Sequence, residues 1–349
     1  MIRQERKLEH LKYSLETACS ANYSGFTDIN LVHQSVTGVK LSDTDLSTVF
    51  INKRLEMPLM INAITGGHPE TLKINRQLAI AARRTGIAMA VGSQKAALED
   101  RTVEETYRVA RDENPDGVLL ANLSATCTVD EAAQAVEMIS ADGIQVHFNV
   151  PQELVMEEGE PDFGSVLPGL KKLVESIDCP VIAKEVGFGM SRETILKLYN
   201  SGIRIMDIGG RGGTNFISIE NARKEYKNIE LEDWGIPTAV CLFEGLELGL
   251  DIAIIASGGL KSSLDMARAL AAGAKMVAMA GPFLEILNRG SVEDLIKYIE
   301  HLKKGLAMYM VLTGARNIEG LKNIPLVISG KTSDWLLRRG VDIDSYARR

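Results

Sequence analysis

Apolar and polar positions alternate in blocks along most of the chain. Eight short, almost wholly apolar runs predict buried strands at 58–63, 86–91, 117–122, 143–148, 180–185, 203–208, 252–256 and 275–280. Helical periodicity fills the gaps clearly at 70–84, 102–112, 130–140, 166–177, 191–201, 261–272 and 291–312, and more weakly at 238–249. Eight β/α units in a row are typical of a (β/α)8 TIM barrel rather than of an open sheet.

The first 50 residues do not share this repeat. Residues 3–18 have an amphipathic pattern that predicts a helix, so the barrel carries an N-terminal helical extension. We therefore divide the chain into an extension over 1–50, a barrel over 51–315 and a C-terminal tail over 316–349 that packs on the barrel.

Composition and charge exclude several classes of protein. The 349 residues are 45% hydrophobic and carry a net charge of −7, so the chain lacks the net positive charge typical of nucleic-acid-binding proteins. The four cysteines are far apart with no CxxC, which argues against a disulfide framework or a zinc site. No apolar run approaches a membrane span, and the N-terminus is too charged for a secretory signal. We expect a cytoplasmic protein without membrane or nucleic-acid partners.

In a barrel the functional groups lie at the carboxyl ends of the strands. The glycine-rich turns 257–259 and 280–281 follow strands seven and eight, and they predict a phosphate site built from backbone N–H groups and a helix N-terminus. Lys184 ends strand five, where its burial is costly unless an anion or a ligand pairs with it. After strand one, Gly66 and Gly67 let a flat ligand approach the backbone.

These strand ends suit a phosphorylated cofactor with a flat polar ring. Flavin mononucleotide (FMN) fits better than a dinucleotide, because one phosphate site is visible and no GxGxxG follows the first strand. Lys184 and neighbouring amides would contact the ring edge.

Strand four ends in the polar segment 145–153, QVHFNVPQE. His147 and Asn149 are two residues apart, so on a strand they would share one face. Gln152 and Glu153 would then follow the carboxyl end of that strand. A solvated loop would also explain such a cluster, but its place at a barrel strand end, opposite a phosphate cradle, favours a site. The chain shows no Ser–His–Asp order and no obvious pair of tuned carboxylates for acid–base work.

Ordered motifs then give a resemblance over essentially the whole chain. They are PLMINAITGG at 58–67, VGSQ at 91–94, ANLS at 121–124, QVHFNVPQE at 145–153, KEVGFGMS at 184–191, DIGGRGGTNF at 207–216, IASGGL at 255–260, MAGPFL at 279–284, and the N-terminal Arg6, Lys7 and His10. Together they resemble type 2, FMN-dependent isopentenyl-diphosphate isomerases. The resemblance implies interconversion of isopentenyl and dimethylallyl diphosphates in isoprenoid biosynthesis, with FMN, NADPH and Mg2+ as cofactors, in a homo-oligomer (tetramer or octamer).

The same resemblance assigns site residues. It implies FMN contacts at Ala63, Ile64, Thr65, Ser93, Asn122, Lys184, Thr214, Gly258, Gly259, Leu260, Ala280 and Gly281. It places Arg6, Lys7, His10, Asn149 and Gln152 at the substrate, which brings the N-terminal extension to the site, and makes His147 and Gln152 the catalytic candidates. Glu153 would bind Mg2+, a cation that prefers one carboxylate plus phosphate oxygens to a protein cage. Reduced flavin is the hypothesised proton-transfer group, with Gln152 moving a proton or only positioning the substrate.

Two other classes of function stay open on the residues alone. One is another FMN-dependent TIM-barrel oxidoreductase, although the late strand ends lack the His base and Arg clamp of 2-hydroxy acid oxidases, and Cys241 lies in a helix-like stretch rather than on a catalytic loop. The other is a non-catalytic barrel that senses a phosphorylated ligand, which Lys184 and Glu153 disfavour. NADPH and NADH are equally compatible with the sequence, and the glycine-rich insert 209–233 could order only when ligand binds.

Overall fold

The computed structural model describes residues 7–9, 11–13, 23–159, 161–225 and 227–349. Residues 7–9 and 11–13 are helical, within the predicted helix 3–18. The remainder of that predicted helix, which includes Arg6 and His10, lies outside the described residues.

A closed parallel barrel forms the centre of the molecule. The strands in chain order are β1 Ile29–Leu31, β2 Thr48–Phe50, β3 Lys53–Leu55, β4 Leu59–Ile61, β5 Ala88–Ala90, β6 Leu119–Ser124, β7 Gly143–Phe148, β8 Val181–Glu185, β9 Ile205–Asp207, β10 Ala253–Ser257, β11 Met276–Met279 and β12 Leu326–Ile328. Strands β4 to β11 pair in sequence order, and β11 pairs back to β4. The predicted (β/α)8 barrel and its eight strands are confirmed, although several strands are shorter than their apolar runs.

Helices cover the outside of the barrel. The α-helices are Thr71–Thr85, Lys95–Glu99, Glu105–Glu113, Val129–Met138, Val150–Val155, Val166–Ser176, Arg192–Asn200, Phe216–Ala222, Thr238–Leu246, Ser263–Ala272, Gly281–Arg289, Val292–Thr313, Ile318–Leu321, Gly330–Arg338 and Ile343–Ala347. Short 3-10 turns lie at Phe26–Asp28, Leu41–Asp43, Arg101–Val103 and Ile229–Leu231. The helix predicted over 261–272 is present as Ser263–Ala272 with Ser262 as its N-cap, so Leu260 and Lys261 separate it from the turn 257–259.

Successive strand residues face opposite sides of the barrel wall. Met60, Leu120 and Ile182 belong to the cluster that fills the interior, together with small residues such as Ala88. Their strand neighbours, Leu59 for example, pack outward against the helices. The near-continuous apolar runs of the sequence therefore reflect burial on both faces.

A hairpin closes the amino-terminal end of the barrel. Strands β2 and β3 pair antiparallel, and Ile51 and Asn52 form a two-residue turn at φ of 47° and 59°. Phe50 and Leu55 join the interior cluster. Lys53 forms an ion pair with Asp142 at 2.5 Å, beside the start of β7. The carboxyl end of the barrel is thus the end available for a ligand site.

A second small sheet joins the segment before the barrel to the C-terminal tail. Strand β1 pairs antiparallel with β12, with Ile29 opposite Ile328. The helix Gly330–Arg338 is attached through Trp335, whose indole Nε1 donates to Glu244 at 3.0 Å. The segment before the barrel and the C-terminal tail therefore stabilise each other on the outside of the barrel.

Candidate functional site

A cavity of about 1030 Å³ opens at the carboxyl ends of the barrel strands. The predicted FMN contacts Ala63, Ile64, Thr65, Ser93, Asn122, Lys184, Thr214, Gly258, Gly259, Leu260, Ala280 and Gly281 all line it. So do Lys7, His147, Asn149, Gln152 and Glu153, whereas Arg6 and His10 lie outside the described residues. Residues that are far apart in sequence are thus brought to a single cavity from all eight strand ends.

Two turns at this cavity have the form of a phosphate cradle. Gly258 and Gly259 have φ of 104° and 83°, and a Cβ on Gly258 would lie 2.0 Å from the carbonyl oxygen of Gly210. Glycine is therefore required where the turn after β10 packs on the turn after β9. Gly281 begins the helix Gly281–Arg289, and a Cβ there would meet no heavy atom within 4 Å. The N–H groups of that first turn and the helix dipole favour an anion.

The polar segment after β7 is helical rather than extended. Strand β7 ends at Phe148, and the helix Val150–Val155 begins at once, with Asn149 at its N-cap position. The expectation that His147 and Asn149 share one face of a strand is therefore wrong. Proline in the first helical turn is well tolerated, so Pro151 is compatible with a helix that begins here.

This short helix carries the predicted metal ligand into the cavity. Asn149 Nδ2 donates to Glu153 Oε1 at 2.6 Å. Gln152 Nε2 donates to Glu220 Oε1 at 2.8 Å, from a side chain that is almost fully buried. The described residues contain no cluster of three or more His, Cys, Asp or Glu side chains that could enclose a metal ion.

Lys184 is paired inside the barrel with Asp207. The sequence places Asp207 near the end of the sixth predicted strand but indicates no role for it. The Lys184 Nζ lies 3.1 Å from Asp207 Oδ2, and both side chains are buried. Asn62 donates to the same carboxylate oxygen at 2.7 Å, and Ser257 donates to the other oxygen. The lysine is therefore neutralised by protein while it still lines the cavity.

Asp207 also anchors a chain of amides that ends at His147. Because a carboxylate only accepts, Asn62 turns its amide nitrogen to Asp207 and its oxygen to Gln145 Nε2, 3.2 Å away. Gln145 Oε1 then accepts from Asn122 Nδ2 at 3.2 Å. Asn122 Oδ1 is left to face His147 Nδ1 at 2.8 Å, so this ring nitrogen is the donor.

The amide network and the burial of the ring together determine the tautomer and the charge of His147. Burial, followed by the charges of Lys184 and Lys7, lowers the pKa of His147 to about 3, so the ring is neutral near pH 7. With its proton on Nδ1, the ring carries a lone pair on Nε2. Sequence reasoning missed Asn62 and Gln145, although a polar residue inside an apolar strand is the signal that could have found them.

Glu185 is a buried carboxylate with a shifted pKa, a property that the sequence did not indicate. Its Oε2 accepts hydrogen bonds from the backbone N–H groups of Gly187, Phe188 and Gly189 at 2.6–2.9 Å. Burial outweighs these bonds and raises the pKa of Glu185 to about 7. Through these three hydrogen bonds, the side chain holds the turn after β8 at the edge of the cavity.

Lys7 reaches the cavity from the N-terminal segment. Its Nζ donates to the backbone carbonyl of Ser93 and lies 3.0 Å from the hydroxyl of Tyr107. The Tyr107 hydroxyl donates to the same carbonyl at 2.6 Å. Tyr107, which is fully buried and was not indicated by the sequence, thus fixes the position of a cation at the cavity.

Comparison with known proteins places the chain in a family. It is 46% identical over 350 residues to an isopentenyl-diphosphate delta-isomerase of Geobacillus sp. (strain WCH70), with 100% of both chains covered. It is 48% identical over 334 residues to that of Moorella thermoacetica, covering 96% of each. The chain belongs to the isopentenyl-diphosphate delta-isomerase family. A family model described as FMN-dependent dehydrogenase also matches residues 167–326.

Solved structures with the same fold are more distant from this isomerase-family chain. A mandelate oxidase variant with benzaldehyde has a TM-score of 0.65 at 16% identity, covering 93% of this chain and 95% of the other. A flavocytochrome b2 mutant with pyruvate has a TM-score of 0.67 at 18% identity, covering 91% and 85%. At these identities the likeness concerns the barrel fold. No helix in the described part of the chain has the length and apolar character needed to cross a membrane.

One orphaned polar atom in this isomerase-family cavity fits a flavin. The hydroxyl of Thr65 is buried, and no hydrogen-bond partner for it exists among the described residues. An unsatisfied buried hydroxyl is unfavourable, so a polar ring edge at this position would relieve the cost. Thr65 and Lys184 would give FMN polar contacts at its ring end, and the glycine cradle would give it an anion site at its phosphate end.

Replacing Thr65 with valine tests this contact. Thr65→Val keeps the shape and removes an unpaired hydroxyl, so the apoprotein should unfold no more easily than wild type. The dissociation constant of FMN should rise roughly tenfold, which corresponds to one lost hydrogen bond. Thr85→Val is the matched control, because it removes a buried bond to the Ala81 carbonyl and should lower stability without altering FMN affinity. Unchanged FMN affinity in Thr65→Val would refute the contact.

Proposed function

We propose that this protein interconverts isopentenyl diphosphate and dimethylallyl diphosphate by moving a carbon–carbon double bond, without net oxidation. One observation carries the proposal beyond family membership. A phosphate cradle after β10 and β11 shares a single cavity with the polar segment after β7, which lies four strands around the barrel from β11. A phosphorylated cofactor and a second phosphorylated ligand can therefore bind at opposite sides of one cavity.

FMN would be held by the twelve cavity residues predicted for it, with its phosphate at Gly258, Gly259 and Gly281. When bound and reduced, the flavin supplies a group that can give and take a proton beside the substrate. Lys184 places positive charge at the ring edge, and its orientation is set by Asp207. Thr65 supplies a hydrogen bond at the same end of the cavity.

The diphosphate would bind at the β7 side of the cavity. Lys7 contributes a fixed positive charge, and Asn149 contributes an amide. His147 is neutral in the free protein, and an anion next to Nε2 favours the charged imidazole. We propose that His147 takes up a proton as the diphosphate binds, so that both ring nitrogens become donors.

Mg2+ would be held by Glu153 and diphosphate oxygens. Glu153 lines the cavity, and the described residues contain no cluster of three or more side chains that could enclose a metal ion, which suits a cation that keeps several oxygen ligands from substrate and water. Gln152, next to Glu153 and also lining the cavity, would lie beside the hydrocarbon end of the substrate. It is the side chain proposed to position the double bond.

We further propose that NADPH reduces the flavin before turnover, that the protein is cytoplasmic, and that it assembles as a homo-oligomer, a tetramer or an octamer. Lys7 lines the cavity of its own chain, and the rest of the N-terminal segment, with Arg6 and His10, would complete the substrate site.

Substituting Glu153 tests the metal site. Glu153→Gln retains the size of the side chain and removes its charge, so the Mg2+ concentration for half-maximal activity should rise at least tenfold, as loss of the proposed protein ligand implies. FMN absorbance should be unchanged. Glu157→Gln, an exposed neighbour that does not line the cavity, is the control and should behave as wild type. An unaltered Mg2+ requirement in Glu153→Gln would exclude the assignment.

The activity itself is tested with purified, flavin-loaded protein. Isopentenyl diphosphate, Mg2+ and NADPH under anaerobic conditions should yield dimethylallyl diphosphate. Lactate and mandelate should not reduce the flavin, which separates the proposal from a 2-hydroxy acid oxidase. A colourless protein that binds phosphorylated ligands without turnover would instead indicate a sensor.

A further inference from the structure

Arg223 makes hydrogen bonds to carboxylates from three separate parts of the chain. It lies just after the helix Phe216–Ala222. Its Nε donates to Glu9 at 2.9 Å, its Nη2 to Glu158 at 3.0 Å, and its Nη1 to Glu220. Burial lowers the pKa of the guanidinium, but the bonds to Glu158 and Glu220 outweigh it and raise the pKa overall, so the group stays charged. A charged group therefore joins three segments around the candidate site.

The contact with Glu220 is the one that burial makes important. The Glu220 side chain is 0% exposed, and that of Arg223 is 18% exposed. A buried carboxylate is very costly unless it is paired and hydrogen-bonded, and removing a charged partner weakens that compensation. Exposed ion pairs, by contrast, contribute little. Arg223 is therefore a charged partner that helps to stabilise Glu220 in its buried position.

The second oxygen of Glu220 orients the side chain of Gln152. Glu220 Oε2 receives Arg223, and Oε1 accepts from Gln152 Nε2 at 2.8 Å. An ionised carboxylate only accepts hydrogen bonds, so the amide nitrogen of Gln152 must face Glu220. The carbonyl oxygen is then the group that Gln152 offers to the cavity it lines.

We propose that Arg223 is a positioning residue for the isomerase reaction, acting through Glu220 to fix the amide of Gln152. The inference rests on the proposed function, because that function places Gln152 beside the substrate. Arg223 also contacts Glu9 in the N-terminal segment, but the inference concerns only its path through Glu220 to Gln152.

Steady-state kinetics on a mutant cycle tests the inference in the flavin-loaded enzyme. Arg223→Gln should lower kcat roughly tenfold to a hundredfold, the range expected for a misplaced side chain, and change KM for isopentenyl diphosphate less than kcat. Arg223→Lys, which keeps the charge, should restore most of the loss. In a Gln152→Ala background, Arg223→Gln should cause little further loss, because the side chain that it orients is already absent.

Integrity controls separate positioning from a general structural role. FMN absorbance and the melting temperature are measured for every variant. Arg84→Gln removes an exposed ion pair with Glu293, remote from the cavity, and should match wild type. A fall in kcat of equal size in the wild-type and Gln152→Ala backgrounds would overturn the inference, as would wild-type kinetics in Arg223→Gln. Absence of isomerase activity in the wild-type protein would instead overturn the proposed function and this inference with it.

Discussion

Lys184→Met should abolish isomerase activity and destabilise the protein even without flavin. The methionine keeps the length of the side chain but leaves the Asp207 carboxylate buried without its cation. Breaking a buried pair by removing one partner typically costs about 3–5 kcal/mol. Asn62 and Ser257 still donate to Asp207, so we expect the lower part of that range. The free energy of unfolding is measured by urea denaturation of the apoprotein.

A double variant separates the two effects of Lys184. Lys184→Met with Asp207→Asn removes both charges, so much of the lost stability should return while activity stays absent. Lys303→Met is the matched control, because the Lys303–Glu56 pair is exposed and its loss should change stability by less than about 1 kcal/mol. Wild-type stability in Lys184→Met would contradict the buried pair, and retained activity would contradict the role of Lys184 at the flavin.

Gly258→Ala should abolish tight FMN binding. The added Cβ would lie 2.0 Å from the carbonyl oxygen of Gly210, at a φ of 104° that alanine rarely adopts. The nearest atom belongs to the backbone, so relief requires the cradle to move. FMN affinity should fall by at least about a hundredfold, because several phosphate contacts are lost together. Isothermal titration of apoprotein with FMN measures this change.

The control for the cradle is a glycine elsewhere. Gly169 lies in the helix Val166–Ser176, and a Cβ there would meet nothing within 4 Å. Gly169→Ala should therefore bind FMN normally and be slightly more stable, because alanine is favoured over glycine in a helix. FMN binding by Gly258→Ala at wild-type affinity would show that the turn after β10 does not hold the phosphate.

The barrel and the lining of its cavity were predictable because both follow from local patterns. Apolar runs locate the strands, and a closed parallel barrel brings all their carboxyl ends together. Lys184 could be recognised as a site residue because a buried lysine needs a partner. The sequence could not say that this partner is Asp207, since their proximity depends on the pairing of β8 with β9.

Side-chain networks and very short helices escaped sequence reasoning for physical reasons. The chain of amides from Asp207 to His147 depends on strand register, as in the pairing of Asn122 with Gln145. The helix Val150–Val155 is too short for periodicity to distinguish it from a loop. Glu220 and Arg223 lie in the insert after β9, where the sequence showed only glycines and charges.

The most direct test of the account is turnover after a single reduction. The protein, loaded with FMN, is reduced once under anaerobic conditions, freed of excess reductant, and mixed with Mg2+ and isopentenyl diphosphate. We predict many molecules of dimethylallyl diphosphate per flavin, with the flavin still reduced at the end. One product per flavin, with the flavin reoxidised, would instead identify an oxidoreductase and contradict the isomerase function.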